Sequence, residues 1–360
     1  MTNSNKVLLV GGAGYVGSVL ASELLERGYA VKILDRLYYG RDGLKEIQDR
    51  VDLVVGDMRQ IPKGILDDVI AVVNIGGLSN DPTAEYNPQA NREMNTVASI
   101  ELAKRCIQAG VKRYVFASSC SIYDQGVGEE SIDIMQDEES DVDPQAAYSA
   151  SKYAAEQGLL NLVSDDFSPV ILRKGTIYGF SPRMRYDLVV NTFVKNAIDK
   201  GALTLHYGGE MWRPLVDVHD VARAYITCIN APEEQVKGQI FNVSFRNFRI
   251  SELALRVRKA LLEMGIQCEI RADYGYRGVR SYRVSAKKIE SHLGFRPIVP
   301  VEDAVIDMVE KMREGGYLDV DNPKYYNIRW MRFLEEAQDI IRETGSVFEA
   351  PRNAALKENE

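Results

Sequence analysis

The stretch Val7 to Gly17, VLLVGGAGYVG, constrains the fold of this chain more than any other. Four apolar residues run into a cluster of glycines, and the amphipathic segment SVLASELLERG follows. This order predicts a strand, a tight turn and a helix. Backbone amides at the start of such a helix bind a pyrophosphate if no β-carbon blocks its approach. The stretch is therefore either a dinucleotide site or a simple glycine-rich turn, and the residues that follow decide between them. Its candidate cofactor ligands are Gly11, Gly14, Tyr15, Val16 and Gly17.

The next β-rich run, YAVKILDR, ends in Asp35. A carboxylate about 20 residues after a glycine-rich turn can accept hydrogen bonds from both ribose hydroxyls of NAD and repels the 2′-phosphate of NADP. Asp35 is otherwise a simple strand-end residue, and Arg36 beside it can accommodate a phosphate. We therefore expect NAD rather than NADP.

Strand-like runs and helical stretches alternate through the first half. Val51 to Val55 and Val69 to Ile75 are β-rich, and the segments between the strands have helical character. This alternation predicts an α/β fold with a doubly wound parallel (Rossmann) sheet, whose ligands lie at the carboxyl ends of the strands. Asp57, Met58 and Gly76 follow these strands and are further candidate cofactor ligands, although each alone is also typical of a loop.

The composition favours small-molecule partners. The 360 residues carry a formal charge of -8, which disfavours nucleic acid and anionic membrane surfaces. A polar start without an apolar signal core, and no apolar run near 20 residues, predict a cytoplasmic protein. Four scattered cysteines and three histidines support neither a disulfide framework nor a metal site.

Catalytic candidates follow a fifth strand. The segment RYVFASSCSIY ends in several hydroxyls, including Ser119, and the helix QAAYSASKYAAEQ places Tyr148 and Lys152 four residues apart on one face. A phenol has a pKa near 10, and an adjacent ammonium and a positive nicotinamide both favour its phenolate. Tyr148 is therefore a candidate general base, with Lys152 lowering its pKa and Ser119 positioning a substrate hydroxyl. Proton removal from a carbinol while NAD takes the hydride is alcohol oxidation.

These motifs occur together in one known family. In their order, GGAGYVG, the strand-end Asp35, Gly56-Asp57-Met58, SSCSIY and YSASK resemble the extended short-chain dehydrogenase/reductases, in particular the nucleotide-sugar epimerase/dehydratase group. The resemblance covers roughly residues 6 to 310. It implies tightly held NAD, a nucleotide-diphosphate sugar as substrate, and catalysis by Ser119, Tyr148 and Lys152.

Two departures from the family pattern bear on the reaction. The 4,6-dehydratases follow the catalytic Ser or Thr with an Asp-Glu pair, whereas this chain has Cys120-Ser121. Asn74 replaces the usual His of the fourth strand. The resemblance without the acid pair favours an NAD-dependent epimerase that works through a transient keto-sugar. The alternatives are an NAD(P)-dependent nucleotide-sugar reductase or dehydrogenase, and a dinucleotide-binding sensor without turnover.

The second half supplies the candidate substrate ligands. The resemblance places Thr176 where the family has an Asn, Arg213 at a phosphate-binding Arg, and either Arg277 or Arg280 at a second one. Arg183 and Arg185 lie in a basic loop that either binds a diphosphate or is merely solvated. The residues that we predict to bind substrate are Ser121, Thr176, Arg185, Arg213 and Arg280.

The expected organisation has three parts. Residues 1–178 with returning segments near 211–245 form the NAD-binding domain, residues 179–210 and 246–315 a smaller C-terminal substrate domain, and residues 316–360 a helical tail. We expect the acid-rich residues 129–143 to form a solvated loop, and Asp217 and Asp220 to cap or orient the helix after them. The tail aromatics pack a helix onto the body or a partner subunit. The family resemblance also implies a homodimer through the helices at 93–110 and 148–163.

Overall fold

The computed structural model describes residues 5–124, 134–275 and 280–345. Its centre is a seven-stranded sheet in which every neighbouring pair is parallel, with the order β11-β7-β5-β4-β1-β2-β3. These strands are β1 (Lys6–Val10), β2 (Ala30–Asp35), β3 (Val51–Val55), β4 (Val69–Asn74), β5 (Arg113–Ser119), β7 (Ser168–Lys174) and β11 (Ile240–Val243). The predicted α/β, doubly wound parallel sheet is confirmed.

Both faces of this sheet are covered, and strand β1 illustrates why. Its side chains alternate, so that Val7 and Leu9 pack in one buried cluster and Leu8 and Val10 in another. A strand that is buried on both faces has a continuous run of apolar residues, as Val7 to Val10 show. Helices α1 (Tyr15–Glu26) and α7 (Val218–Asn230) cover one face, and α4 (Ala98–Gln108) and α5 (Ala147–Leu160) cover the other.

The helices connect the strands and fill the second half of the chain. They are α1 (Tyr15–Glu26), α2 (Asp81–Tyr86), α3 (Pro88–Arg92), α4 (Ala98–Gln108), α5 (Ala147–Leu160), α6 (Val189–Lys200), α7 (Val218–Asn230), α8 (Glu233–Val236), α9 (Ile250–Glu263), α10 (Lys287–Leu293), α11 (Val301–Gly315) and α12 (Asn327–Thr344). A π-helical turn, Glu93–Val97, joins α3 to α4, so the predicted helix at 93–110 does not begin as a regular α-helix.

Smaller sheets lie beside the main one. Strand β10 (Trp212–Asp217) pairs in parallel with β8 (Thr176–Tyr178) and antiparallel with β12 (Arg246–Arg249), and β9 (Ala202–His206) pairs with β13 (Glu269–Asp273). Asp217 accepts a hydrogen bond from the backbone of His219 (2.8 Å) and caps helix α7, while Asp220 accepts from the backbone of Ile298 and Val299. Both aspartates therefore orient the chain around α7, as expected.

The acid-rich segment at 129–143 differs from the prediction of a solvated loop. Within its described part, β6 (Met135–Gln136) pairs with β14 (Arg283–Val284), and the Glu138 carboxylate accepts a hydrogen bond of 2.6 Å from the backbone of Asn242. These contacts join residues more than a hundred positions apart, so no local pattern predicts them. Residues 129–133 lie outside the described part of the chain.

Among the described residues, no helix is long and apolar enough to cross a bilayer. The same residues contain no group of three or more His, Cys, Asp or Glu side chains arranged to hold a metal ion.

Candidate active site

A cleft opens at the carboxyl ends of the sheet strands. All predicted site residues line it: Gly11, Gly14, Tyr15, Val16, Gly17, Asp35, Asp57, Met58, Gly76, Ser119, Ser121, Tyr148, Lys152, Thr176, Arg185, Arg213 and Arg280. Parallel strands end at one edge, so residues that follow different strands meet there. The cleft brings the predicted residues together, and their individual roles stay predictions.

The glycine turn after β1 is shaped by close backbone approaches. Gly11 has a φ of +84°, and a β-carbon there would lie 2.7 Å from Cα of Gly76. A β-carbon on Gly17 would lie 2.5 Å from the carbonyl oxygen of Gly11. Only glycine fits at these positions. The first amides of α1 consequently face the cleft without a side chain in front of them, as binding of a phosphate requires.

Tyr15 contributes to this site through its backbone. Its side chain is 5% exposed, and the hydroxyl donates a 2.7 Å hydrogen bond to the carbonyl of Gly179 while accepting one from Asn191 at 3.2 Å. The phenol therefore anchors α1 to the segment after β8. Our prediction of Tyr15 as a cofactor ligand applies only to its amide.

Asp35 lies at the end of β2, beside the glycine turn. Its carboxylate accepts hydrogen bonds from the amides of Ala13 (3.0 Å) and Leu37 (2.7 Å). Burial raises the pKa of Asp35, against the opposing effect of those amides and of the charge on Arg183. The turn and the carboxylate are thus held as one unit.

Asp57 is engaged by two arginines. It pairs with Arg36 (2.8 Å) and with Arg59 (2.7 Å). Desolvation raises the pKa of this carboxyl, but the hydrogen bonds and charge of Arg59 outweigh it and hold the pKa below its usual range. Because Arg36 also stacks on Tyr38, 4.2 Å from its ring centroid, this guanidinium already has partners of its own.

The three predicted catalytic residues meet further along the cleft. Ser119 ends β5, and Tyr148 and Lys152 lie one turn apart on α5. The Ser119 hydroxyl lies close enough to the Tyr148 phenol to lower the pKa of Tyr148. Lys152 is 4% exposed, and its Nζ lies 6.0 Å from the Tyr148 ring centroid and 4.9 Å from that of Phe116. Hydroxyl, phenol and amine thus share one wall of the cleft.

Burial dominates the acid-base properties of these groups. It raises the pKa of Tyr148 to about 12, while the charge of Arg185 and the nearby Ser119 hydroxyl lower it. Burial lowers the pKa of Lys152 to about 8, against the charge of Glu156. The cation that lowers the pKa of Tyr148 is thus Arg185, which the sequence analysis assigned to the substrate, and the effect of Lys152 on this phenol stays a prediction.

A buried ion pair supports this wall from behind. The carboxylate of Glu156 is fully buried and accepts hydrogen bonds from Nε (3.1 Å) and Nη2 (2.6 Å) of Arg173. The Ser118 hydroxyl donates to the same carboxylate, and Arg173 Nη1 donates to the Tyr123 hydroxyl at 2.8 Å. Since Ser118 precedes Ser119 and Glu156 follows Lys152 by one turn, the pair fixes β5 and α5 relative to each other.

Asn74 has a structural role at the end of β4. It is fully buried, and its Nδ2 donates to the Ser99 hydroxyl (3.0 Å) and to the Tyr114 hydroxyl (2.8 Å). Its Oδ1 accepts a hydrogen bond of 3.3 Å from the amide of Gly76. The replacement of the family's usual His therefore ties the turn at Gly76 to α4 and β5.

The opposite end of the cleft is rich in guanidinium groups. Arg213 donates to the backbone of Trp212 (2.8 Å) and of Arg280. Arg280 pairs with Asp81 and, at 3.2 Å, with Asp124, and its buried Nη1 has no hydrogen-bond partner among the described residues.

Arg185 and Ser121 line the cleft as well. Arg185 forms a bidentate pair with Asp187, at 2.8 and 3.1 Å. The Ser121 hydroxyl is buried and has no partner within the described part of the chain. Arg277 lies outside the described residues.

The C-terminal segment reaches the cleft, which sequence reasoning missed. Asn327 and Met331, one turn apart on α12, line it, and the Trp330 indole donates a hydrogen bond to the carbonyl of Tyr38. Packing of the tail aromatics on the body was expected. A contribution of polar tail residues to the site has no local sequence signal, because it depends on where the chain folds back.

The residues present fit a bound dinucleotide. The glycine turn leaves a side-chain-free cradle, and a strand-end carboxylate lies beside it. Donors of Ser121, Arg183 and Arg280 that lack a partner among the described residues are buried along the cleft. Such donors match the phosphate and hydroxyl oxygens of nucleotides.

Comparisons with known proteins agree with this geometry. Residues 7–244 match the model of the NAD dependent epimerase/dehydratase family. The chain is 28% identical over 246 residues to the UDP-glucose 4-epimerase of Vibrio cholerae, covering 66% of this chain and 70% of that protein. It is 26% identical over 331 residues to the UDP-N-acetyl-alpha-D-glucosaminuronate decarboxylase of Bacillus cytotoxicus, covering 86% and 98%.

A solved structure shares most of this architecture. The dTDP-glucose 4,6-dehydratase DesIV of Streptomyces venezuelae, with NAD and TYD bound, superposes with a TM-score of 0.73 at 25% identity, covering 87% of this chain and 98% of that one. The similar proteins thus include an epimerase, a decarboxylase and a dehydratase. With the family model matching well over half of its length, this chain belongs to the NAD-dependent epimerase/dehydratase family and is an enzyme whose cofactor is NAD.

Proposed function

We propose that this enzyme is an epimerase of a nucleotide-diphosphate sugar that inverts a carbinol carbon through a transient keto-sugar. The observation that carries the proposal is the set of groups on one cleft wall, where Ser119, Tyr148 and Lys152 supply a hydroxyl, a phenol and an amine. This set can remove and return one hydroxyl proton. Such chemistry suffices for epimerisation, whereas loss of water needs a further acid and base.

The roles follow from the contacts of each group. Tyr148 takes the proton of the reacting hydroxyl and later returns it. Ser119, which lies beside Tyr148 in the cleft, holds that hydroxyl close to the phenol. Lys152 and Arg185 supply positive charge that favours the phenolate. Bound NAD supplies the hydride acceptor and donor at the same carbon.

The residues after Ser119 argue against dehydration. Cys120 is fully buried, its thiol donates a 3.1 Å hydrogen bond to the carbonyl of Arg173, and burial raises its pKa. Ser121 offers only a hydroxyl. Neither can act as the carboxylate that the dehydratases have in this segment. The described carboxylates that line the cleft are Asp35 and Asp57 beside the cofactor turn and Asp81, which pairs with Arg280.

The substrate class is inferred from the guanidinium-rich end of the cleft. Arg213 and Arg280 present forked donors that match a diphosphate. Ser121 and Thr176 lie along the same cleft, where they can contact the sugar. The nucleotide-sugar enzymes among the relatives support the same class.

We also propose the arrangement of the chain around this reaction. It comprises an NAD-binding domain of residues 1–178 with 211–245, a substrate domain of residues 179–210 and 246–315, and a homodimer, in the cytoplasm, formed through the helices near 93–110 and 148–163. Gel filtration with light scattering at micromolar concentration tests the dimer, and a monomer would remove it.

The reaction is tested with a panel of UDP- and dTDP-sugars, both neutral sugars and uronic acids. Products are identified by NMR, and absorbance at 340 nm reports released NADH. We expect an epimeric nucleotide sugar and no stoichiometric NADH. Tyr148→Phe should abolish turnover, while the matched control Tyr153→Phe, which changes another tyrosine of α5, should preserve it.

Other outcomes assign the alternatives. Stoichiometric NADH would indicate a dehydrogenase, a 4-keto-6-deoxy product a dehydratase, and carbon dioxide from a uronic acid a decarboxylase. Retained NAD binding without any product across the panel would indicate a sensor. Each of these results contradicts the epimerase proposal.

A further inference from the structure

Arg183 is a buried cation that the proposed chemistry leaves unused. Its side chain lines the cleft but is only 6% exposed, and the described residues place no carboxylate within 4 Å of its guanidinium. Its Nε is buried and lacks a hydrogen-bond partner among those residues. Burial lowers the pKa of Arg183 to about 10, which reflects the cost of a poorly compensated charge. A buried charge facing a cleft calls for an anionic partner in that cleft.

The position of Arg183 indicates which anion. Its guanidinium lies 3.6 Å from the Tyr39 ring centroid, four residues beyond Asp35. A β-carbon on Gly43 would lie 2.9 Å from Cβ of Arg183 and 3.2 Å from the carbonyl oxygen of Ala13 in the glycine turn. Arg183 thus lies at the cofactor end of the cleft. The anionic part of a dinucleotide is its diphosphate, which the glycine turn approaches from the other side.

Asn327 fixes this guanidinium in place. It is the first residue of α12, is 3% exposed, and its Oδ1 accepts a hydrogen bond of 2.6 Å from Nη2 of Arg183. Its Nδ2 donates to the Ser79 hydroxyl at 2.6 Å, and its amide donates to the Asp187 carboxylate at 3.4 Å. Three segments of the chain therefore meet at one asparagine.

Asn327 lies beyond the part of the chain that the family model matches. The family model matches only as far as residue 244. The decarboxylase of Bacillus cytotoxicus is covered over 98% of its length by 86% of this chain, so part of this chain has no counterpart in it. The structure places the beginning of α12, far beyond the family match, against the cofactor end of the cleft.

We propose that Arg183 binds the diphosphate of the cofactor and that Asn327 of α12 is the positioning residue that aims its guanidinium there. The C-terminal helix is then part of the NAD site rather than an appendage. The proposal rests on the NAD dependence of the family and not on the epimerase reaction, so its test needs no sugar substrate.

The test measures binding of NAD, ADP and adenosine to the nucleotide-free full chain by calorimetry. Loss of a hydrogen-bonded ion contact typically weakens binding about 10- to 100-fold. Arg183→Met should therefore lower the affinities for ADP and NAD by about that factor and change the affinity for adenosine by less than about threefold. Arg183→Lys keeps the positive charge but loses the forked pair of N–H donors. Its affinities for ADP and NAD should therefore lie between those of Arg183→Met and of the unmodified protein.

Asn327→Ala should reproduce the pattern of Arg183→Met more weakly, because it releases the guanidinium without removing it. In the double variant, Asn327→Ala should cause little further loss of ADP and NAD affinity beyond that of Arg183→Met. A merely structural role of Asn327 would instead make the two losses add. Gln338→Ala, which removes an exposed amide on the same helix, is the matched control and should leave all three affinities unchanged.

Three outcomes would overturn the proposal. If Arg183→Met lowers the affinity for adenosine as much as the affinity for ADP, the arginine supports the fold of the site rather than contacting the diphosphate. If Arg183→Met leaves the affinities for ADP and NAD unchanged, the arginine does not bind the diphosphate of the cofactor. If the effects of the two substitutions add in full, Asn327 does not act through Arg183.

Discussion

The buried pair of Arg173 and Glu156 allows the most demanding stability prediction. Its side chains are 3% and 0% exposed, and the guanidinium contacts both carboxylate oxygens, at 2.6 to 3.1 Å. Removing one partner leaves the other charge buried without compensation, which costs about 3–5 kcal/mol. We therefore expect Arg173→Met to lower the free energy of unfolding by about that amount.

The prediction separates the pair from an ordinary surface ion pair. Lys237 and Asp165 lie 2.8 Å apart, but the Asp165 carboxylate is fully exposed to solvent, so Lys237→Met should change stability little. Replacing both buried partners, Arg173→Met with Glu156→Leu, should be less destabilising than Arg173→Met alone, because no unpaired charge remains.

Urea denaturation of the full chain at pH 7, followed by circular dichroism without added ligand, measures these differences. A loss below about 1 kcal/mol for Arg173→Met would refute the reasoning, because that is the range of exposed pairs. A double variant less stable than Arg173→Met would refute it as well, since packing rather than charge would then dominate.

Three further predictions concern the cofactor end and Lys152. Gly17→Ala should weaken NAD binding at least 10-fold in calorimetry, because the new β-carbon would lie 2.5 Å from the carbonyl of Gly11; unchanged affinity would contradict the tight turn. Asp35→Ala should lower the affinity for NAD and bring the affinities for NAD and NADP closer together in the same titrations. An unchanged ratio of the two affinities would contradict the role of the carboxylate. Lys152→Met should bind NAD more weakly yet be more stable by about 3 kcal/mol at pH 7, because burial lowers the pKa of Lys152 from 10.5 to about 8. Below pH 8 the lysine is charged in both the folded and the unfolded chain and its burial cost is fully present, so the gain should shrink between pH 8 and 10.5; a gain that did not depend on pH would contradict this cause.

Much of the fold was predictable because its signals are local. The apolar run before Gly11 and the glycines after it specify strand, turn and helix within a few residues, and the spacing of Tyr148 and Lys152 places them on one helix face. Parallel topology then brings strand ends together without any further information. The cleft and most of its lining could be inferred in this way.

The parts that could not be predicted depend on contacts between distant segments. Glu156 and Arg173 look like ordinary charged residues until α5 packs against β7. Arg185 reads equally well as a solvated loop residue, and only folding places it beside Asp187 and near Tyr148. Asn327 has no motif at all.

The epimerase account is tested most directly by the fate of the hydrogen on the reacting carbon. A nucleotide sugar that carries deuterium at that carbon is converted by the purified enzyme in ordinary water, and the product is analysed by NMR and mass spectrometry. Because the abstracted hydride returns to the same carbon, we expect the epimeric product to retain the deuterium there. Loss of the label to solvent, or its transfer to a neighbouring carbon, would contradict the account.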